Sequence, residues 1–258
     1  TDIVYNIHRY MNHNVSVFIG FLQNRMLFIL RFPTLKSEFH MYNFSVLKII
    51  GNDKTPFENT MIKTGKKTDK LAILFPGMGY TCRMPLLYYA TAILLGSGFD
   101  VLWAEHAYNK NKKFSTLSQA KQNNLIANDV SAIYNAVKNQ GTYKNLVLLG
   151  KSIGTVAVGE LLRREQLPKN LKIIWLTPLL NRPNLVDIMK NCAHENSLTV
   201  IGTKDPHYNL AELKSIQKMN KGRLLIIKNV DHGLENDEDF RETLSALGKF
   251  TESVKKFV

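Results

Sequence analysis

With 258 residues, 45% of them hydrophobic, the chain is long enough for one large α/β domain with a buried core, short for two, and too apolar to be disordered. Its formal charge of +13 would suit acidic partners, but the basic residues are scattered; the densest cluster, Lys63, Lys66, Lys67 and Lys70, sits in a polar turn, and 109–113 reads as another solvated loop, so no nucleic-acid partner is expected. Cys82 and Cys192 form no CxxC pair; free thiols in a reducing, cytoplasmic setting are the simpler reading, with one disulfide between them the alternative.

Residues 1–43 read as an N-terminal extension. Val15 to Phe32 is apolar but interrupted by Gln23, Asn24 and Arg25, which is costly at the midpoint of a membrane-spanning helix. Three readings stay open: packing on the domain, an interfacial membrane contact, or sequence upstream of the working protein. No clean amphipathic face emerges, which favours the first and third.

From residue 44 to 258 the pattern is regular. Phe44–Ile50 and Phe57–Lys63 are strand-like runs about a turn. The apolar run Leu71–Phe75 ends in Pro-Gly, Pro85–Leu95 reads as a helix, and Phe99–Glu105 as the next strand. Ser115–Asn139 carries apolar residues at helical spacing. Then strands at Asn145–Leu149, Leu171–Leu176, Ser197–Ile201 and Leu224–Val230 alternate with helices at Ile153–Arg164, Pro183–Asn191, Leu210–Met219 and Phe240–Phe257. Apolar strands alternating with helices predict an α/β fold: a mostly parallel sheet of about eight strands with helices on both faces.

The chemistry centres on Gly150-Lys151-Ser152-Ile153-Gly154, between an apolar strand and an amphipathic helix. A serine on a sharp strand-to-helix turn needs small neighbours, and the turn aims the helix N-terminus at its hydroxyl. Gly-Lys-Ser also ends a Walker A loop, but that motif would need a glycine at Asn145 and a loop where Leu146–Leu149 is strand.

Ser152 needs a base. His232 follows the final strand, at the carboxyl edge where Ser152 emerges; His8, His13, His40, His106, His194 and His207 have poorer positions. Asp205 follows the preceding strand at the same edge and suits the acid that orients the imidazole. Asp231 and Glu235 sit too close along the chain to His232, and Asp187 is in a helix. Oxyanion donors are expected from the Ile153 N–H and the Met78 N–H, with Gly79 next, in the loop Phe75-Pro76-Gly77-Met78-Gly79-Tyr80.

These four segments, FPGMGY, GKSIG, GTKDP and VDHG, each after a strand and in that order, resemble the α/β-hydrolase superfamily, above all its small lidless esterase-like and dienelactone-hydrolase-like members. The resemblance covers about residues 44–258. It implies a Ser152–Asp205–His232 triad and an acyl-enzyme formed on an ester or related acyl substrate, with no cofactor and no metal. The first loop departs from the family's usual His-Gly by carrying Pro76-Gly77. The stretch between Leu176 and Ser197 holds one short helix and little with which to build a lid. Tyr80, Met84, Pro178, Tyr208 and Leu234 are candidates to line the substrate pocket, although core packing explains the Met and Leu residues equally well. A non-catalytic binding module on this fold and a membrane-associated lipid hydrolase are the competing readings.

Overall fold

The computed structural model describes residues 4–6, 16–22, 25–31, 42–51, 56–106, 108, 111, 113–191 and 196–258, the first three stretches and 56–58 by backbone alone. Cys192 and the histidines at 8, 13, 40 and 194 lie outside the described residues.

The apolar N-terminal run is strand. β1 (Val4–Asn6), β2 (Ser16–Leu22) and β3 (Arg25–Arg31) form an antiparallel sheet in that order. The antiparallel register of β2 and β3 runs from Ser16 opposite Arg31 to Leu22 opposite Arg25. The sequence reading assigned no strands here, because short apolar runs carry no clear period to separate strand from helix. Among the described residues, no helix is long and apolar enough to cross a membrane.

The second sheet collects the rest of the chain. Its elements are β4 (Asn43–Ile50), β5 (Pro56–Lys63), β6 (Lys70–Phe75), α1 (Pro85–Gly96), β7 (Asp100–Trp103), α2 (Gln119–Lys138), β8 (Asn145–Lys151), α3 (Ile153–Arg164), β9 (Asn170–Leu176), α4 (Pro183–Asn191), β10 (Ser197–Gly202), α5 (Leu210–Asn220), β11 (Arg223–Ile227) and α6 (Phe240–Phe257). The strand order is β11-β10-β9-β8-β6-β7-β5-β4. All pairs from β11 to β7 are parallel; β5 runs antiparallel to both its neighbours. The expected eight-stranded, mostly parallel sheet is what forms.

Register explains the two-layer core. Leu71, Leu146 and Leu171 align across β6, β8 and β9, as do Ile73, Leu148 and Ile173; these side chains face α2, α3, α4 and α5. The alternate residues Leu74, Leu149 and Ile174 face α1 and α6. With both faces covered, strands must be apolar throughout, which is how β6, β8 and β9 read.

Of the boundaries that differ from the sequence reading, two show a local cause. α2 starts at Gln119, because Ser118 caps it by accepting from the Lys121 N–H, after a single 3₁₀ turn at Phe114–Thr116. β11 ends at Ile227 rather than Val230, where Asn229 adopts φ 61° and turns the chain. His232 is therefore carried by a loop beyond the strand end.

Candidate active site

Ser152 stands at the junction of β8 and α3 with φ 54° and ψ −119°, a backbone conformation rarely adopted by residues with a side chain. Its N–H donates to the Leu176 carbonyl at 3.0 Å, which fixes the turn to the end of β9. The two flanking glycines are sterically required. A Cβ at Gly150 would land on the Gly154 carbonyl oxygen, and a Cβ at Gly154 would land on the Phe75 carbonyl oxygen at the end of β6.

The N-terminus of α3 is left open. α2, α5 and α6 are capped by the side chains of Ser118, Asn209 and Asp239, whereas Ser152, at the N-cap of α3, makes no side-chain capping bond. The Ile153 N–H is thus one of the donors that a helix start leaves without an intrahelical partner, beside the Ser152 hydroxyl. Across from it, the loop after β6 makes a tight turn: Tyr80 N–H donates to Gly77 O at 3.2 Å, with Gly79 at φ 78°. A Cβ at Gly77 would lie 3.3 Å from Ser152 Cβ, so this loop passes close to the serine. Met78, at the turn's tip, is exposed.

His106 supports that loop, a contact the sequence reading missed. Its Nε2 lies 2.8 Å from Pro76 O, and a carbonyl can only accept, so the proton sits on Nε2. The ring stacks on Tyr108, which stacks on Phe114. Burial pushes His106 down to about 4, so the imidazole is neutral, and its buried Nδ1 has no described partner.

Asp205 and His232 meet directly. Asp205 Oδ2 lies 2.7 Å from His232 Nδ1; the carboxylate is fully buried and the histidine side chain 28% exposed. The other carboxylate oxygen accepts the His207 N–H at 2.8 Å, so the carboxylate is held at both ends. Asp231, weighed above as a rival to Asp205, instead shapes the histidine's loop by accepting the N–H groups of Gly233 at 2.7 Å and Glu235 at 2.9 Å. Among the described residues Ser152 Oγ makes no hydrogen bond to His232. The link between the two loops runs through Lys151, whose Nζ donates to His232 O at 3.2 Å.

His207 packs edge-on against His232 with ring centroids 5.4 Å apart, and one ligand atom each from Asp205, His207 and His232 falls within 4.8 Å of the others. The geometry suits a hydrogen bond better than a shared ion: two ligands of a tetrahedral zinc stand about 3.3 Å apart, whereas the Asp205–His232 contact is at hydrogen-bond length. Burial pushes His207 down.

The suggested pocket residues separate. Met84 is exposed at the start of α1. Tyr80 is half-buried, with its hydroxyl accepting the Leu86 N–H at 3.0 Å. Pro178 is buried and Tyr208 packs partly against the α2–α5 core. Leu234, at 1% exposure and with φ 59°, packs in the core beneath α1 and α6, the alternative that the sequence left open for it. Cys82 is also buried; burial raises its thiol pKa, which makes it a packing residue rather than a reactive one.

No protein-family model and no curated protein matches the sequence. Solved structures do match in fold. An esterase of Pyrococcus furiosus aligns over 84% of this chain and 91% of its own, at 15% identity and a TM-score of 0.62. A dienelactone hydrolase of Anabaena variabilis aligns over 84% and 97%, at 14% identity and a TM-score of 0.61. A serine hydrolase without a lid from Xanthomonas campestris aligns over 88% and 98%, at 16% identity and a TM-score of 0.58. The chain has the α/β-hydrolase fold.

Proposed function

We propose that this α/β-hydrolase fold carries a serine hydrolase that cleaves an ester or a related acyl bond, with Ser152 as nucleophile, His232 as base and Asp205 as the acid that orients it. The observation that carries the reading is the 2.7 Å contact between buried Asp205 and His232 Nδ1, at the sheet edge where Ser152 sits on its elbow. A carboxylate can only accept, so Nδ1 keeps the proton and Nε2 presents its lone pair.

The steps follow from these positions. His232 Nε2 takes the Ser152 proton as Oγ attacks the acyl carbon, and Asp205 stabilises the imidazolium that forms. The tetrahedral oxyanion lies at the α3 N-terminus, where the Ile153 N–H donates to it, with the Met78 N–H from the facing loop as the second donor and Gly79 next. His232 returns the proton to the leaving group, and water activated the same way releases the acyl-enzyme. His106 holds the second loop by its bond to Pro76 O.

Three features support a lidless site of the esterase kind. The described part of the β9–β10 connection holds a single helix, α4. Its Leu185, Val186 and Met189 are buried in the core, so it covers the sheet rather than the site. The neighbours described above include an esterase and a hydrolase without a lid. Labelling with a fluorophosphonate, read by mass spectrometry, tests the reading: the adduct is expected on Ser152, and Ser152→Ala should abolish both labelling and ester hydrolysis. Hydrolysis at full rate by that variant would refute it.

A further inference from the structure

Lys151 fills the variable place before the nucleophile, and the triad gives it no task. Its side chain is nonetheless buried, at 2% exposure for the residue. Nζ donates to His232 O at 3.2 Å and to Thr177 Oγ1 at 3.4 Å, and lies 4.5 Å from the centre of the Tyr80 ring. One ammonium therefore touches the loops that follow β6, β9 and β11 from its own place at the end of β8. A methionine would fill that space without the desolvation that a buried charge suffers. What the charge adds is a fixed distance between the serine's strand and the histidine's loop.

We infer that Lys151 is a positioning residue, whose ammonium ties the His232 backbone to the end of β8 and so keeps the imidazole in line between Asp205 and Ser152. The inference rests on the serine-hydrolase reading and assigns it a residue outside the triad and the oxyanion donors. The charged and titratable groups around Nζ are Asp205 from the loop after β10, Asp231, His232 and Glu235 from the loop after β11, and Tyr80 from the loop after β6. Burial lowers Lys151 to about 8, while Asp205, Asp231 and Glu235 oppose that drop. Tyr80 is raised to about 12 by burial and stays neutral through this range. The ammonium is thus present below about pH 8 and lost above it, along with one donor N–H and the charge that orients the others.

The test measures the rate of fluorophosphonate labelling of Ser152, and kcat and KM for p-nitrophenyl acetate, from about pH 5.5 to about pH 10. Wild type should lose rate on an alkaline limb with its midpoint near 8. Lys151→Met should lower kcat about tenfold or more with KM changed less than about threefold, and should show no limb near that pH. Lys151→Arg, whose guanidinium keeps its proton, should recover part of the rate and also lack the limb. A Lys151→Met enzyme within about twofold of wild type in kcat, or one that is slow but keeps the limb, overturns the inference. If neither variant folds, wild type decides alone: a flat alkaline profile overturns it. Labelled wild type without these effects leaves Ser152 as nucleophile and removes only Lys151; wild type that never labels removes the nucleophile reading and this one with it.

Discussion

The elbow at Ser152 should be strained, and the strain can be measured by comparing two inactive variants. With φ 54° and ψ −119°, a side chain at this position costs about 1–3 kcal/mol relative to a relaxed backbone. Ser152→Ala keeps the Cβ and therefore the strain. Ser152→Gly removes it, but gives the unfolded chain extra freedom worth about 0.4–1 kcal/mol and loses a few tenths of packing. The net expectation is that the glycine variant is the more stable of the two by about 1 kcal/mol. For a chain of this size that is roughly 2–4 °C in Tm. Urea unfolding followed by circular dichroism, with the slope compared between variants, gives the difference directly. Both variants should lack hydrolysis, so activity cannot confuse the comparison. An alanine variant as stable as the glycine variant, or more so, would mean that the serine sits there without strain, and the steric account of the elbow would fail.

Two further outcomes follow from the same geometry. Asp205→Asn replaces an acceptor with a group that can turn its NH₂ toward Nδ1 and so favour the wrong tautomer; kcat for p-nitrophenyl acetate should fall by about 10⁴, and a loss of less than about tenfold would remove Asp205 as the orienting acid. Across p-nitrophenyl esters, kcat/KM should peak at short acyl chains, about two to six carbons, because methylenes beyond a shallow site gain none of the roughly 0.8 kcal/mol that burial offers each; an optimum at about ten carbons or more would contradict the lidless reading.

What the sequence made legible was whatever depends on neighbours in the chain. Leu146–Leu149 is apolar because β8 is buried on both faces, and Gly150 and Gly154 flank Ser152 because carbonyl oxygens occupy the space of any Cβ there. Asp205 and His232 could be found by position, since residues just past parallel strands share one edge. Features set by distant contacts stayed hidden. Lysine is seldom buried, and nothing near Lys151 in the chain marks it as an exception; only the fold brings Thr177, Tyr80 and His232 around it. His106 contacts a carbonyl 30 residues away. Leu234 could be read as pocket lining or as core, and only the fold places it in the core. The N-terminal strands were hidden for a different reason: short, mostly apolar runs such as SVFIGFL and RMLFILR have no clear period to read.

The distribution of positive φ picks out one edge of the sheet. Among the described residues, five other than glycine have positive φ: Ser152, Thr177, Lys221, Asn229 and Leu234. Lys221 ends α5, an ordinary place for a left-handed residue. The other four lie in the loops after β8, β9 and β11, on the edge that carries Ser152 and His232. Thr177 and Leu234 are buried as well as left-handed, and Thr177 is β-branched, so neither is placed there for want of an alternative. Thr177 receives the Lys151 ammonium and is itself anchored by its N–H to Val200 O at 2.7 Å; Leu234 closes the turn that starts at Asp231 and contains His232. Strain of this kind persists only where surrounding structure over-determines it, and here the surroundings are the ends of parallel strands already locked by a core on both faces. The positive-φ residues after β8, β9 and β11 and the buried Lys151 thus gather at one edge of the sheet, held by a core packed on both faces.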